Sequence, residues 1–291
     1  MARVAFSTIA CPRTTLRGVL DLAARCECDG VEFRSFGEGS TRFANDPGLT
    51  SAKKIDAMAR DAGVEPAGIA TGVTLHEPVS PPVLGLALPG PDKPVNEATH
   101  FIDIAKAINA PYIRLFPFAI PKAPFESRRS TIRRIAKRLT AITDHCRHRG
   151  VSVLIENAGD FPSYEDLAEI IDRVQSPDLG ACLDLYAAHA VNDDLNKAIQ
   201  TLGPRLGAVR LRDRTGNSPA PLGTGDLPAK QLTQELAKQS FPGWIVYEWE
   251  RAWIDTLEPA EDVIPPAIDL IYQWLEPATS AKSNPPAYSA A

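Results

Sequence analysis

Short runs of apolar residues alternate along the chain with longer segments of mixed character. Eight of these runs are rich in β-branched and aromatic residues, as expected of strands that are covered on both faces. The eight predicted strands are residues 4–10, 30–36, 64–72, 112–118, 151–157, 179–186, 206–213 and 244–250. Between them, apolar residues recur every three or four positions, which indicates amphipathic helices. Residues 127–150, for example, place Ile132, Ile135, Leu139 and Ile142 on one face.

Eight strands, each followed by a helix, predict an α/β protein with a single (β/α)8 TIM barrel. A doubly wound open sheet is the competing arrangement, but it would need a Gly-rich phosphate loop after an early strand. The chain has no GxGxxG motif, so we expect no nucleotide cofactor. We expect the barrel to occupy residues 1–276 and the tail, residues 277–291, to be disordered. The proline-rich connection at residues 74–94 is a candidate lid over the barrel.

The composition narrows the possible functions further. The 291 residues carry a formal net charge of -5, which argues against a nucleic-acid binder. The five cysteines are an odd number without a CxxC pair, which favours reduced thiols in a cytoplasmic protein. No apolar stretch approaches the roughly 18 residues that a membrane span requires. We therefore expect a soluble, cytoplasmic protein that binds neither nucleic acid nor membrane.

The direction of the charged side chains predicts a site. Side chains in a barrel strand point alternately to the interior and to the helices. In the fifth strand Val151, Val153 and Ile155 are suited to contact helices, so Glu156 should point inward. The same alternation turns other charged residues inward: Glu32, Arg34, Arg114, Asp184, Arg210, Arg212, Glu248 and Glu250. They gather toward the carboxyl ends of the strands, where TIM-barrel enzymes hold their active sites.

Some of these residues also have a purely structural interpretation, because barrels contain buried ion pairs. Glu32 and Arg34 could simply form an ion pair with each other near the end of the second strand, without a role in ligand binding. Arg114 is interpreted as facing the substrate, and Glu250 as a partner of Arg212.

Several segments together resemble a known family. They are "DGVEFR" (29–34), "GVSVLIEN" (150–157), "GACLDLYAAHA" (180–190), "VRLRD" (209–213), "PLGTGDL" (221–227) and "GWIVYEWE" (243–250). In this order and spacing the chain resembles the sugar phosphate isomerase/epimerase superfamily, the xylose isomerase-like barrels. That superfamily includes tagatose epimerases, hydroxypyruvate isomerase, inosose dehydratase and 3-dehydroshikimate dehydratase. The resemblance extends from Val4 to Leu275.

The resemblance implies a divalent metal held by a glutamate, an aspartate, a histidine and a second glutamate from the last four strands. Glu156, Asp184 and Glu248 stand at three of those four positions. The two glutamates would also be the catalytic acid/base pair that moves a proton next to a carbonyl. A ligand set rich in carboxylates favours Mn²⁺ or Mg²⁺.

The chain departs from the family at the fourth ligand. The usual H-x-K-D motif is RLRD (210–213), and arginine cannot ligate a metal because its guanidinium has no free lone pair. The D-x-x-H motif is altered too, with Ala187 at its fourth position and His189 two residues later. Either water replaces the missing ligand, or Arg210 supplies the positive charge that the metal normally brings. The candidate substrate-binding residues are Glu32, Arg114, His189, Arg210 and Arg212.

The predicted function is that of an isomerase or epimerase of a small sugar, keto-sugar or sugar acid. A dehydratase on the same barrel is the alternative, since proton abstraction next to a carbonyl can end in loss of water. A third hypothesis is a non-catalytic barrel that binds a sugar or a protein. The expected partner is a small carbohydrate, and a homo-oligomer is possible on this interpretation.

Overall fold

The computed structural model of the chain describes residues 2–37, 41–78, 92–124 and 126–276. Eight strands form a closed barrel. They are β1 (Arg3–Ser7), β2 (Gly30–Arg34), β3 (Glu65–Thr74), β4 (Tyr112–Phe116), β5 (Ser152–Glu156), β6 (Leu179–Asp184), β7 (Leu206–Leu211) and β10 (Trp244–Tyr247). Their order around the barrel is β1-β10-β7-β6-β5-β4-β3-β2, and every neighbouring pair is parallel. Strands β8 (Asp213–Thr215) and β9 (Ser218–Ala220) form a separate hairpin. The predicted TIM barrel is confirmed.

Helices surround the barrel. They are α1 (Leu16–Arg25), α2 (Ala52–Ala62), α3 (Lys93–Ala107), α4 (Arg128–Cys146), α5 (Tyr164–Val174), α6 (Leu185–Ala190), α7 (Leu195–Leu202), α8 (Ala229–Lys238) and α9 (Ala260–Leu275). Short 3-10 turns cover Thr8–Ala10, Pro47–Leu49 and Gly203–Arg205. Helices α4 and α5 begin after Ser127 and Ser163, whose side chains accept backbone N–H groups in capping boxes. Residues 79–91 of the candidate lid and the tail 277–291 lie outside the described residues.

Two apolar layers fill the interior on either side of the strands. The larger lies between strands and helices and includes Val153, Ile155, Val209 and Tyr247, which the alternation along the strands predicts to point outward. The smaller lies inside the barrel and consists of Ala5, Ala67, Tyr112, Leu154, Cys182, Ala208, Trp244 and Val246. Charged residues lie next to this inner apolar layer, toward the carboxyl ends of the strands. The alternation inferred from the sequence is therefore the one that the barrel adopts.

Seven of the eight barrel strands end earlier than the sequence predicts, and two of these ends belong to the charged residues. Strand β6 stops at Asp184 because its side chain caps α6 by accepting the N–H of Ala187 at 2.8 Å. Strand β10 stops at Tyr247, although the N–H of Glu248 still donates to the carbonyl of Leu211 at 2.8 Å. Glu248 therefore keeps the direction that a longer strand would have given it.

The five cysteines are all free and buried. None of the helices in the described ranges is both long and apolar enough to cross a membrane.

Candidate active site

The inward-facing charged residues at the carboxyl ends of the strands form one charged layer: Glu32, Arg34, Arg114, Glu156, Asp184, Arg210, Arg212, Glu248 and Glu250. Arg210 lies at its centre. It projects inward from β7 and is fully buried, with a relative exposure of 0%. Its Nη1 donates to Glu32 at 2.9 Å, and its Nε lies 3.4 Å from Glu156 and 4.0 Å from Asp184. Its Nη2 contacts Glu248. One guanidinium thus touches four carboxylates that arrive from four different strands or strand ends.

Arg114 is a second buried cation on the other side of these carboxylates. Its Nη1 contacts Glu156, and its Nε lies 3.6 Å from Glu32. The hydroxyl of Tyr112 donates to Glu32 at 3.0 Å. Glu32 is therefore enclosed by two guanidiniums and a phenol, and neither Glu32 nor Arg114 is open to solvent.

Arg212 and Arg214 extend the network toward the surface. Arg212 contacts Asp184 and lies 3.5 Å from Glu248 and 3.1 Å from Glu250. Arg214 also pairs with Glu250, and its guanidinium carbon lies 4.5 Å from the centre of the Tyr186 ring. Glu250 is indeed a partner of Arg212, as the sequence suggested.

Asn157 positions the acidic residue of β6. Its Oδ1 accepts the N–H of Asp184 at 2.6 Å, and its Nδ2 donates to the carbonyls of Asp184 and Pro162 at 3.1 and 2.8 Å. The amide that follows Glu156 in the sequence thus ties the end of β5 to the end of β6. This fixes the direction in which the Asp184 carboxylate points.

The pKa values of these groups reflect the balance between burial and pairing. Burial alone would raise the pKa of Glu32, but the guanidiniums of Arg114 and Arg210 outweigh it and hold the pKa below its usual range. The pKa of Asp184 is lowered in the same way, because Arg212 and Arg210 outweigh the effect of its burial. The folded state therefore keeps both carboxylates ionised.

The residues present do not fit a divalent metal. The guanidinium of Arg210 lies among Glu156, Asp184 and Glu248, the three carboxylates that would ligate the ion. A protonated guanidinium offers a metal no lone pair and repels it. In the part of the chain that the structure describes, no group of three or more His, Cys, Asp and Glu side chains is arranged to hold an ion. Arg210 in place of the metal charge is the alternative that this geometry supports.

The structure separates the predicted site residues into three groups. Glu156, Asp184, Glu248, Arg210 and Arg212 meet at one end of the barrel, as their alternation predicted. Glu32 and Arg114 belong to the same network but lie inside it, where they contact carboxylates or cations and not solvent.

His189 lies apart from this network. It is exposed in the last turn of α6 and makes no contact with the charged layer in the described residues. The suggestion that Glu32 pairs with Arg34 is wrong, because Glu32 is taken by Arg114 and Arg210.

Sequence reasoning missed several residues that organise the site. Asn157 ends the fifth predicted strand, but an amide at that position signals no partner by itself. Asp213 accepts the N–H groups of Gly223, Gly225 and Leu227 at 2.8, 3.0 and 3.1 Å. The "PLGTGDL" segment is thus a loop folded around one carboxylate next to Arg212.

Comparisons with known proteins agree with this architecture. A family model described as xylose isomerase-like TIM barrel matches residues 20–274. A protein of Streptomyces coelicolor named as a putative hydroxypyruvate isomerase is 31% identical over 112 residues. That alignment spans 35% of this chain and only 39% of the relative.

Solved structures share the whole fold. An L-ribulose 3-epimerase has a TM-score of 0.76 at 16% identity, over 98% of this chain and 100% of that one. A D-allulose 3-epimerase from Methylomonas sp. has a TM-score of 0.74 at 15% identity, over 94% and 98%. A protein described as a "probable 3-DHS dehydratase" from Bacillus anthracis has a TM-score of 0.72 at 14% identity, over 93% and 98%. At these identities the similarity establishes a shared barrel.

Proposed function

Because this chain belongs to the xylose isomerase-like TIM barrel family, we propose that it is an isomerase or epimerase of a small sugar, keto-sugar or sugar acid. The reaction removes a proton from the carbon beside a carbonyl and returns it to the same or the neighbouring carbon. The observation that carries the proposal is that Glu156 and Glu248 contact the same buried guanidinium, that of Arg210.

The two glutamates take the roles of base and acid. One glutamate, ionised, removes the proton, and the other, protonated, gives its own proton to the opposite face or the adjacent carbon. Removal of the proton converts the substrate into an enediolate, whose negative charge lies on the former carbonyl oxygen. Buried guanidinium N–H groups stabilise such an oxygen more strongly than water does, because they are already oriented and lie in a medium of low dielectric. Arg210 contacts both glutamates, whereas Arg114 contacts Glu156 and Arg212 lies 3.5 Å from Glu248.

The names of the relatives support this reaction class, since the Streptomyces coelicolor protein is named as an isomerase and two of the structural neighbours are epimerases. Dehydration is the second candidate, and the neighbour described as a dehydratase favours it. The same enediolate can expel a hydroxide from the next carbon in place of accepting a proton. Product analysis separates the two outcomes.

The test is proton exchange with solvent. The purified protein, treated with chelator, is incubated in D₂O with ketoses, aldoses, hydroxypyruvate and sugar acids, and deuterium at the carbon beside the carbonyl is followed by NMR. We expect exchange with at least one compound, and a loss of about 10²–10⁴-fold in both Glu156→Gln and Glu248→Gln. Glu165→Gln, whose side chain is 69% exposed on α5, is the matched control and should keep the wild-type rate.

Four results bear on the choice. Exchange without loss of water supports the isomerase, whereas a dehydrated product replaces it by the lyase. Exchange that survives both glutamate substitutions removes these residues from the chemistry. If no compound exchanges, with or without added Mn²⁺ or Mg²⁺, the barrel is not an isomerase of these substrates.

A further inference from the structure

Arg34 differs from every other arginine of the charged layer. It is the last residue of β2 and is 7% exposed, so its guanidinium is almost entirely buried. Its Nη1 donates to the carbonyl of Thr71 at 2.5 Å, and its buried Nε, like those of Arg114 and Arg210, has no hydrogen-bond partner in the described residues. No carboxylate of those residues lies within 4.0 Å of it, whereas Arg114, Arg210 and Arg212 each contact two or more.

The neighbouring carboxylates, Glu32 and Glu156, compensate this charge only in part. Glu32, the nearest one along the strand, is already held by Tyr112, Arg114 and Arg210. Burial and the positive charges of Arg114 and Arg210 together lower the pKa of Arg34 to about 9. A buried charge without a partner costs free energy. Its presence at the end of a barrel strand is understandable if an anion arrives from outside to pair with it.

The surroundings of Arg34 favour an anion as well. Its guanidinium carbon lies 4.5 Å from the centre of the Phe36 ring, and that of Arg42 lies 5.2 Å from the same centre. Arg42 also lies over the exposed Trp253 at 4.3 Å. Beside this stack is a cavity of about 210 Å³, lined by Pro12, Arg13, Arg42, Arg251, Ala252 and Asp255. Three arginines and one aspartate line this cavity, which adjoins Arg42 and not Arg34 itself.

We propose that Arg34 binds an anionic group of the substrate, a carboxylate or a phosphate, and that the enzyme acts on acidic sugars in preference to neutral ones. This inference rests on the proposed function and narrows its substrate class. The planar guanidinium can donate two parallel hydrogen bonds to either anion, which fixes the orientation of the substrate as well as its charge. With the anion held at β2, the carbon chain extends toward Glu156 and Glu248 at the other strand ends.

The test compares three small probes that differ mainly in charge: glycerol, D-glycerate and glycerol 3-phosphate. Their dissociation constants are measured by ligand-detected NMR at about 0.15 M ionic strength, where surface charges are screened. We expect the wild type to bind D-glycerate or glycerol 3-phosphate at least tenfold more tightly than glycerol. Arg34→Gln should lose about 10- to 100-fold in affinity for that anion and nothing for glycerol, as expected for charge-assisted hydrogen bonds.

Two further variants keep the result interpretable. Arg25→Gln removes an exposed arginine of α1 and should leave all three constants unchanged, which controls for net charge. Arg34→Lys keeps the charge but loses the planar fork, so it should retain an intermediate affinity. Tighter binding of D-glycerate would identify a carboxylate as the recognised group, and tighter binding of glycerol 3-phosphate would identify a phosphate.

The proposal is overturned if the wild type shows no preference for the anions, or if Arg34→Gln keeps that preference. The first criterion needs no variant and applies even if Arg34 substitutions unfold the protein. Binding does not require turnover, so failure of proton exchange alone refutes the proposed function and leaves the anion site in place. Conversely, wild type and Arg34→Gln could catalyse exchange on neutral sugars with the same kcat/KM and show no preference for acidic ones. That result would refute the anion site and leave the proposed function in place.

Discussion

Removal of the central guanidinium is the most direct test of the charged layer. Arg210→Met keeps an unbranched apolar side chain of similar length but leaves Glu32, Glu156 and Glu248 without the cation that touches all three. Arg114 and Arg212 remain, so the carboxylates lose part of their compensation and not all of it.

The expected cost follows from burial. Arg210 is completely buried and its carboxylate partners are nearly so. Loss of one partner from a buried ion pair destabilises a protein by about 3–5 kcal/mol, because the remaining charges stay buried without compensation. For a chain of this size that corresponds to a decrease in Tm of about 5–8 °C. The loss should shrink as the pH is lowered toward about 5, because a carboxylate without its cation takes up a proton in the folded state.

Urea and thermal unfolding followed by circular dichroism measure this effect. The matched control is Arg60→Met, since Arg60 pairs with Asp56 on α2 but its side chain is 73% exposed. Such a surface pair contributes at most about 1 kcal/mol. A loss below about 1 kcal/mol in Arg210→Met, equal to that of the control, would show that Arg210 does not hold the carboxylates together.

Three further outcomes follow from the same geometry. Arg210→His introduces an imidazole ligand, so Mn²⁺ at 100 times its Kd should stabilise this variant by about 2.7 kcal/mol, measured as a rise in Tm. Near-stoichiometric metal retained by the dialysed wild type would contradict this reasoning. The pKa of Glu32 in the folded state lies below its usual 4.5. The carboxylate therefore contributes its full stabilisation above pH 4.5 and loses it as the pH falls through the lowered pKa. An acid-unfolding midpoint that is unchanged in Glu32→Gln would argue against this contribution. Gly68→Ala would press a Cβ against the Tyr112 ring, closer than van der Waals contact allows, so it should destabilise the barrel by about 1–3 kcal/mol in urea unfolding, while wild-type stability would show that the ring can move aside.

The amino-acid sequence by itself determined the architecture and the composition of the charged layer. Apolar runs spaced by amphipathic segments permit a parallel barrel or a doubly wound sheet, because each strand must be covered on both faces. The absence of a Gly-rich phosphate loop favours the barrel. The period of two along each strand then decides which side chains enter the barrel, and this depends only on local backbone geometry. For that reason the sequence alone is enough to assign Glu156, Asp184, Arg210 and Glu248 to one end of the barrel.

Only the tertiary structure decided which charge pairs with which. Glu32 and Arg34 are close in sequence and on the same side of one strand, yet Glu32 pairs with Arg114 and Arg210, and Arg34 with no carboxylate in the described residues. His189 was a plausible site residue by its position after a motif, but α6 carries it to the surface. These outcomes depend on the relative register of neighbouring strands and on the reach of long side chains across the barrel. Neither is encoded in any local segment, because both arise only when all eight strands close around one axis.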